Sequence, residues 1–254
     1  MDFNALHHQP QPLLIANVWD ASSALAAEQA GYQALGTSSA AIATMLGYED
    51  GEGMTFDELF FIVSRIKAVT DLPLSVDLEA GYGENTDQVI DNIHRLSRLG
   101  VVGVNIEDSR VINHERSLVD ARHFADTLRE LTLACPGMFF NVRTDTFLLK
   151  GENTLEETLY RGRLYTERGA HGLFVPCVTS RDDIAALASE IAVPLNVMCM
   201  PALPDFSTLA SLGVKRISMG NFIHATLQTR LKDLLCKIQA HHSFSDVFGH
   251  ENNR

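Results

Sequence analysis

The feature that most restricts this chain is its punctuation. Eight short apolar, β-branched-rich runs can be marked: PLLIANV at 12, QALGTS at 33, PLSVDL at 73, VVGVNIE at 101, MFFNVR at 138, HGLFVP at 171, PLNVM at 194 and VKRISMG at 214. A helix-like stretch follows each. The odd runs open with or follow Pro12, Pro73, Pro136 and Pro194, whereas the helices before the even runs close on Gly31, Gly100, Gly169 and Gly213. Proline is tolerated where a strand begins, and glycine suits the left-handed residue that ends a helix. A two-unit pattern repeated four times, with right-handed crossovers between parallel strands, closes most simply as an α/β barrel of the (β/α)8, or TIM, type. An open doubly wound sheet is the alternative, disfavoured by the length and the count of eight. Asp20, Thr55, Thr86 and Thr154 are read as helix starts. No linker divides the chain, so one domain over residues 1–254 is expected, with a polar, histidine-rich tail from about residue 236.

A chain of 254 residues, 46% of them hydrophobic, has ample material for such a core. Its formal charge of −12 opposes nucleic acid and anionic membrane surfaces as partners, which leaves a small ligand. A small carboxylate would then need a metal ion or a buried arginine to hold it. Cys135, Cys177, Cys199 and Cys236 show no paired spacing, and there is neither a signal-like N-terminus nor an apolar run of about 18 residues. A cytoplasmic protein with reduced thiols is expected.

In a barrel the chemistry lies at the C-terminal ends of the strands, and there the polar residues gather. The second run ends at Thr37, Ser38 and Ser39 and leads into a long loop with Glu49 and Asp50. The third ends at Asp77 and Glu79, the fourth at Asn105, Glu107 and Asp108, the fifth at Asn141, Arg143 and Asp145, the sixth at Pro176 and Cys177, and the seventh at Asn196. Residues i and i+2 of a strand share a side, so Asp77 and Glu79 should repel each other unless something compensates. With Glu107 they form an oxygen-only donor set without histidine or cysteine, which suits Mg2+ better than zinc. The competing reading makes them ordinary strand-end carboxylates paired with Arg143 and helix N-termini. Trp19 and Asp20 read as packing residue and helix cap, Cys177 as a packed thiol, and His7, His8, His241 and His242 as solvated.

NVWDASSA, LGTSSAAIA, LGYEDGE, DLEAGYG, NIEDS and NVRTD occur in this order. On these segments the chain resembles the isocitrate lyase and phosphoenolpyruvate mutase superfamily over about residues 10 to 235. DLEAGYG is similar to the family's D-x-D-x-G-Y-G metal motif, with Glu79 for the second aspartate. The resemblance implies a Mg2+ site, with Mn2+ as a possible substitute, in which Asp77 is the direct ligand and Glu79, Glu107 and Asp50 act directly or through water. It implies that Ser39, Ala40 and Ala41 present donors to a substrate carboxylate and that Arg143 stabilises the substrate's oxygens. It also implies homo-oligomers, tetramers or dimers, with a C-terminal helix exchanged between subunits; residues 221 to 239 are long enough for that helix.

What the resemblance implies for activity is a lyase acting on a small 2-oxo or 2-hydroxy acid, oxaloacetate-like or a substituted malate, through a metal-stabilised pyruvate enolate. Isocitrate and methylisocitrate lyases carry K-[KR]-C-G-H after the fourth strand. This chain has SRVINHERSLVD at 109 to 120, a shorter loop without cysteine. Asn113, His114 and Arg116 stand there, and His114 is the candidate proton donor, which makes Arg143, Asp50 and His114 the catalytic candidates. Asn196 is a further substrate contact to test. The alternatives are a phosphoenolpyruvate or phosphonopyruvate mutase, a phosphonopyruvate hydrolase, and a non-catalytic barrel that only binds metal and carboxylate.

Overall fold

All eight runs become parallel strands, and the sheet they form closes. The computed structural model describes residues 2–51 and 53–248. The first run is split at Ile15 into β1 (Leu13–Leu14) and β2 (Ala16–Val18). The other barrel strands are β3 (Leu35–Thr37), β4 (Leu74–Asp77), β5 (Gly103–Glu107), β8 (Phe139–Arg143), β9 (Gly172–Phe174), β10 (Leu195–Met198) and β11 (Arg216–Ser218), while β6 (Ser109–Ile112) and β7 (Glu115–Leu118) form a separate antiparallel hairpin. Closure rests on the split strand: β1 pairs with β11 and β2 with β3, so one extended segment joins both edges. This excludes the open doubly wound sheet.

The helices are α1 (Phe3–Leu6), α2 (Ala21–Gln29), α3 (Ser39–Leu46), α4 (Phe56–Lys67), α5 (Thr86–Arg98), α6 (Ala121–Ala134), α7 (Thr146–Leu149), α8 (Thr154–Glu167), α9 (Arg181–Glu190), α10 (Phe206–Ser211), α11 (Phe222–His241) and α12 (Ser245–Phe248). Gly31, Gly100, Gly169 and Gly213 all have the left-handed φ that the punctuation required, between +82° and +100°. Asp20 and Thr55 cap α2 and α4 through capping boxes with Ser23 and Glu58. The caps of α5 and α8 are Asn85 and Asn153, each one residue before the threonine expected. Val89, Ile93 and Leu96 show why these helices stay docked: they recur on one face of α5 and are buried against the sheet.

Three expectations need correction. The segment after β3 is helical before it is a loop: Ser38 caps α3 by accepting from the Ala41 amide, and Gly47, at φ +85°, ends it. The segment after β5 is a hairpin whose turn residues Asn113 and His114 have φ of +51° and +66°, as a two-residue type I′ connection demands. The C-terminal helix read over residues 221 to 239 is α11, which continues to His241, and His242 then turns left-handed at φ +48°; residues 249–254 of the polar tail lie outside the described residues. His7 is not solvated but 1% exposed: its Nδ1 lies 2.9 Å from the Phe3 carbonyl and its ring stacks on Phe139 at 4.2 Å. His8, His241 and His242 are exposed as expected. Among the described residues no helix is long and apolar enough to cross a membrane.

Candidate active site

A cavity of about 290 Å3 opens at the C-terminal ends of the barrel strands. Ser38, Ser39 and Ala40 at the start of α3, Asp50 in the following loop, Asp77 at the end of β4 and Arg143 at the end of β8 all line it. Asp77 is fixed by its neighbour strand: its amide donates to Thr37 Oγ1 at 2.7 Å. Its carboxylate accepts from the Ser39 hydroxyl at 2.7 Å and the Ser39 amide at 3.2 Å, so the first turn of α3 holds the anion with hydroxyl, amide and helix dipole together. Ala41 is buried, and its amide serves the Ser38 cap.

Asp77 and Glu79 line different cavities. β4 ends at Asp77, and Glu79 has φ +49°, which breaks the strand alternation. Glu79 instead lines a second cleft with Glu107, Ser109 and Val111 beneath the hairpin, and the Tyr82 hydroxyl donates to it. Burial pushes the Glu79 pKa up to about 8, against the Tyr82 bond and with help from Asp77 and Asp50. Burial likewise raises Asp50, and Asp77 adds to the effect.

Between the two cavities lies an ion network. Arg143 Nε donates to Asp145 Oδ1 at 2.6 Å and its Nη2 to Oδ2 at 3.0 Å, a bidentate pair, while Nη1 is 3.0 Å from Glu107 Oε2. Arg116, from β7, donates to Glu107 Oε1, to Ser109 Oγ at 2.8 Å and to Asp145 Oδ2 at 3.1 Å, and its Nη2 is 3.6 Å from Asp50. Burial opposes the charge on Arg143, yet Glu107 and Asp145 outweigh it and its pKa is raised. Burial pushes Glu107 up to about 7 although Arg143 resists. Behind this network Asp108, fully buried, accepts from Arg161, Thr144 and Tyr165 and from the Asp145 amide, which holds the chain around Arg143 in place.

The structure gathers Ser39, Ala40, Asp50, Asp77 and Arg143 around one cavity and puts Glu79 and Glu107 around the adjoining cleft. It puts two candidates elsewhere. His114 sits on the hairpin tip, 86% exposed in its side chain, and pairs with Glu49 at 2.9 Å, because a two-residue turn projects its side chains outward. Asn196 is buried in the barrel interior, accepting from Asn141 at 2.9 Å and donating to Ser218 Oγ at 3.1 Å. Arg116 is the hairpin residue that enters the network, and sequence reading missed that role. The signal lay in the alternation of ERSL, readable only once Asn113-His114 is seen as a hairpin turn. Cys177 lines the cavity in a left-handed conformation, φ +67°, and burial raises its pKa, so it stays a thiol.

The acidic side chains around these cavities suit a hard cation: Asp50, Asp77, Glu79 and Glu107 offer carboxylate oxygens, and among the described residues Glu107 Oε2 is buried without an aligned hydrogen bond. Among the described residues no group of three or more histidine, cysteine, aspartate or glutamate side chains is arranged to hold a metal by itself. The fit is therefore to an ion that keeps several waters, as Mg2+ does.

The model of the phosphoenolpyruvate phosphomutase family matches residues 3–239. The chain belongs to that family. Family membership places it among the enzymes of the isocitrate lyase and phosphoenolpyruvate mutase superfamily. It is 34% identical over 221 residues to an uncharacterised protein of Mycobacterium tuberculosis, covering 87% of this chain and 82% of the relative. It is 33% identical over 231 residues to an oxaloacetate decarboxylase of Paraburkholderia xenovorans, covering 87% and 74%. A crystal structure assigned as a phosphonomutase, from Burkholderia cenocepacia, superposes with a TM-score of 0.86 at 38% identity, covering 92% of this chain and 97% of the other.

Proposed function

We propose that this family member is a Mg2+-dependent lyase that cleaves a bond at C3 of a small 2-oxo or 2-hydroxy acid, the whole chain acting as one barrel domain in the cytoplasm. The observation that carries the reading is the convergence of Asp77, Asp50, Arg143 and the first turn of α3 on one cavity. When bound, Mg2+ supplies Lewis-acid stabilisation of negative charge developing on the substrate's oxygens. Asp77 would hold it, with Asp50, Glu79 and Glu107 reached through water. The chain's own part is positional and electrostatic. Ser38, Ser39 and Ala40 orient the substrate carboxylate, and Arg143, locked by Asp145, directs its guanidinium at the reacting end. Asp50 is the carboxyl at the cavity with a raised pKa and partial exposure, and it is the proton carrier in this reading.

The test is calorimetric titration of oxalate, a mimic of the pyruvate enolate, with Mg2+, with EDTA, and with Asp77→Ala. Binding that requires both the metal and Asp77 is expected; weak, metal-independent binding sinks the reading. Phosphorus–carbon cleavage is the second reading, favoured by the Burkholderia structure at 38% identity. Conversion of phosphonopyruvate to free phosphate or to its enol phosphate ester separates the two.

We also propose a homo-oligomer, dimer or tetramer, built on α11. Ile223, Leu227, Leu231 and Leu235 recur every fourth residue and are 45–56% exposed, and a largely apolar groove of about 540 Å3 lies beside them against α2. Light scattering on the wild type and on Leu227→Glu/Leu231→Glu tests it: the variant should shift to monomer.

A further inference from the structure

Below the acids of the mouth cavity lies a layer of side-chain amides. Asn105 on β5 stands in register with Asp77 on β4 and with Asn141 on β8, and it lines the same cavity as Asp77. Asn141 Nδ2 donates to Asn105 Oδ1 at 2.8 Å and to Asn196 Oδ1 at 2.9 Å, so the three amides form one chain across the barrel.

The direction of that chain is fixed at both ends by groups whose roles cannot reverse. At one end Asn196 Nδ2 lies 2.7 Å from the Val197 carbonyl, which only accepts, so Oδ1 of Asn196 faces Asn141. At the other end Arg216 Nη2 is 3.4 Å from Asn105 Oδ1. Burial lowers the Arg216 pKa to about 9, yet the guanidinium is still protonated at neutral pH and only donates. An Asn105 amide turned the other way would set its NH2 against that of Asn141 and against a cation. Asn105 Nδ2 is therefore turned to the cavity, where it stays accessible and, among the described residues, has no hydrogen-bond partner.

The other polar side chains of the lining are placed differently. Asn17 spends both ends on the backbone, donating to the Thr37 carbonyl at 2.9 Å and accepting from the Met219 amide at 2.7 Å. Ser218 Oγ accepts from Asn196 at 3.1 Å and lies 3.4 Å from the Val197 carbonyl. Asn221 is exposed at the start of α11. Asn105 thus brings to the floor, beside Asp77, an amide donor that its neighbours hold in place and do not use. A donor fixed before the ligand arrives needs no reorganisation when it meets a negatively charged oxygen.

We propose that Asn105 is a substrate-binding residue of the mouth site, its Nδ2 donating to an anionic oxygen of the acid bound beside Asp77, and that Arg216 is a positioning residue that acts through Asn105. This rests on the mouth being a 2-oxo acid site and adds the donor on its floor. Arg216 touches no ligand: its part is to keep the Asn105 amide from turning over.

The experiment is calorimetry of oxalate binding to the full-length protein at saturating Mg2+. Asn105→Ala removes the donor. Asn105→Asp replaces it with an oxygen but keeps the acceptor that Asn141 and Arg216 use, so the second variant retains the interior contacts if the first misfolds. Both should bind oxalate roughly 10- to 100-fold more weakly than the wild type, the usual worth of a hydrogen bond to a charged group. Arg216→Met should weaken binding about three- to tenfold in the wild-type background and leave it unchanged in the Asn105→Ala background, because the two residues act as one unit. Arg216→Lys, which still donates, should recover most of that loss. An Asn105→Ala variant that binds oxalate within about twofold of the wild type, while Asp77→Ala still abolishes binding, overturns the inference and leaves the lyase reading standing. An equal loss from Arg216→Met in both backgrounds, or no recovery with lysine, overturns the positioning role. Failure of the wild type to bind oxalate overturns the 2-oxo acid site and this inference with it.

Discussion

At the mouth of the barrel, Arg116 and Arg143 divide Glu107 and Asp145 between them. Deeper in the same barrel Arg216, 1% exposed, reaches among the described residues only Ser75 Oγ at 3.5 Å and Asn105 Oδ1 at 3.4 Å, and its Nε and Nη1 have no hydrogen-bond partner there. The pKa values follow the surroundings and not the residue type: burial lowers Arg216 to about 9 with only Asp77 opposing, whereas the carboxylates around Arg143 overcome its burial. Buried charge at the mouth is therefore held by partners, and buried charge below it is tolerated by the rest of the fold.

The largest consequence is in stability. Arg143→Met leaves Asp145 and Glu107 buried with one cation fewer and should destabilise by about 3–5 kcal/mol, the usual effect of removing one partner of a buried pair. Arg216→Met removes a charge that no carboxylate bonds, and Asn105 Oδ1 keeps its bond from Asn141 at 2.8 Å. Its effect should stay within about 1 kcal/mol of zero, in either direction. Urea denaturation of both variants decides: equal losses would show that pairing is not what distinguishes the two ends.

A second contrast lies within the hairpin, between its tip and its arm. Arg116→Gln releases Glu107 and Asp145 from the hairpin and should lower turnover of the cleaved 2-oxo acid roughly 10- to 100-fold, as loss of a residue supporting a metal site does. His114→Gln should change it less than about threefold, since the side chain is exposed and bonds the equally exposed Glu49. Initial rates with both variants sharpen the comparison; a large loss in His114→Gln with little in Arg116→Gln would reverse the roles drawn from the geometry.

The barrel was legible because proline and glycine act locally. Gly100 ends its helix left-handed, at φ +82°, without the Cβ penalty another residue would meet, and eight such decisions in alternation leave one simple closure. Asp77 and Arg143 were legible for a related reason, since a polar residue ending an apolar run has to face the mouth. What stayed hidden depended on contacts distant in sequence. Glu79 departs from the strand pattern through a single left-handed residue, and no composition signal marks a φ of +49° at a glutamate. His7 looked solvated beside His8 and Gln9, yet the one-turn helix α1 turns it onto Phe139, 132 residues away in the chain. Arg116 was seen but not placed, because the hairpin turn is Asn-His and not the Asn-Gly that sequence reading expects.

A third comparison is between the pH responses of the two ends. Burial, and then Arg216, lower the pKa of His7 from 6.5 to about 3, against the bond to Phe3. The unfolded chain takes up a proton near pH 6.5 that the folded chain refuses until about pH 3. Between those values stability falls as the pH falls, by at most about 1.4 kcal/mol per pH unit. The mouth acts with the opposite sign. Glu79 and Glu107 titrate from 4.5 when unfolded but near 8 and 7 when folded, so in the metal-free protein their contribution is present below about pH 4.5 and is lost as the pH rises through those folded values. His7→Phe keeps a ring on Phe139 and removes only the first response. Subtracting its stability curve from that of the wild type should leave a difference that is flat above pH 7 and turns steadily against the wild type from pH 6.5 downward. A difference that stays flat to pH 4 would mean that His7 takes up its proton in the folded state and that the lower end of the barrel is open to water.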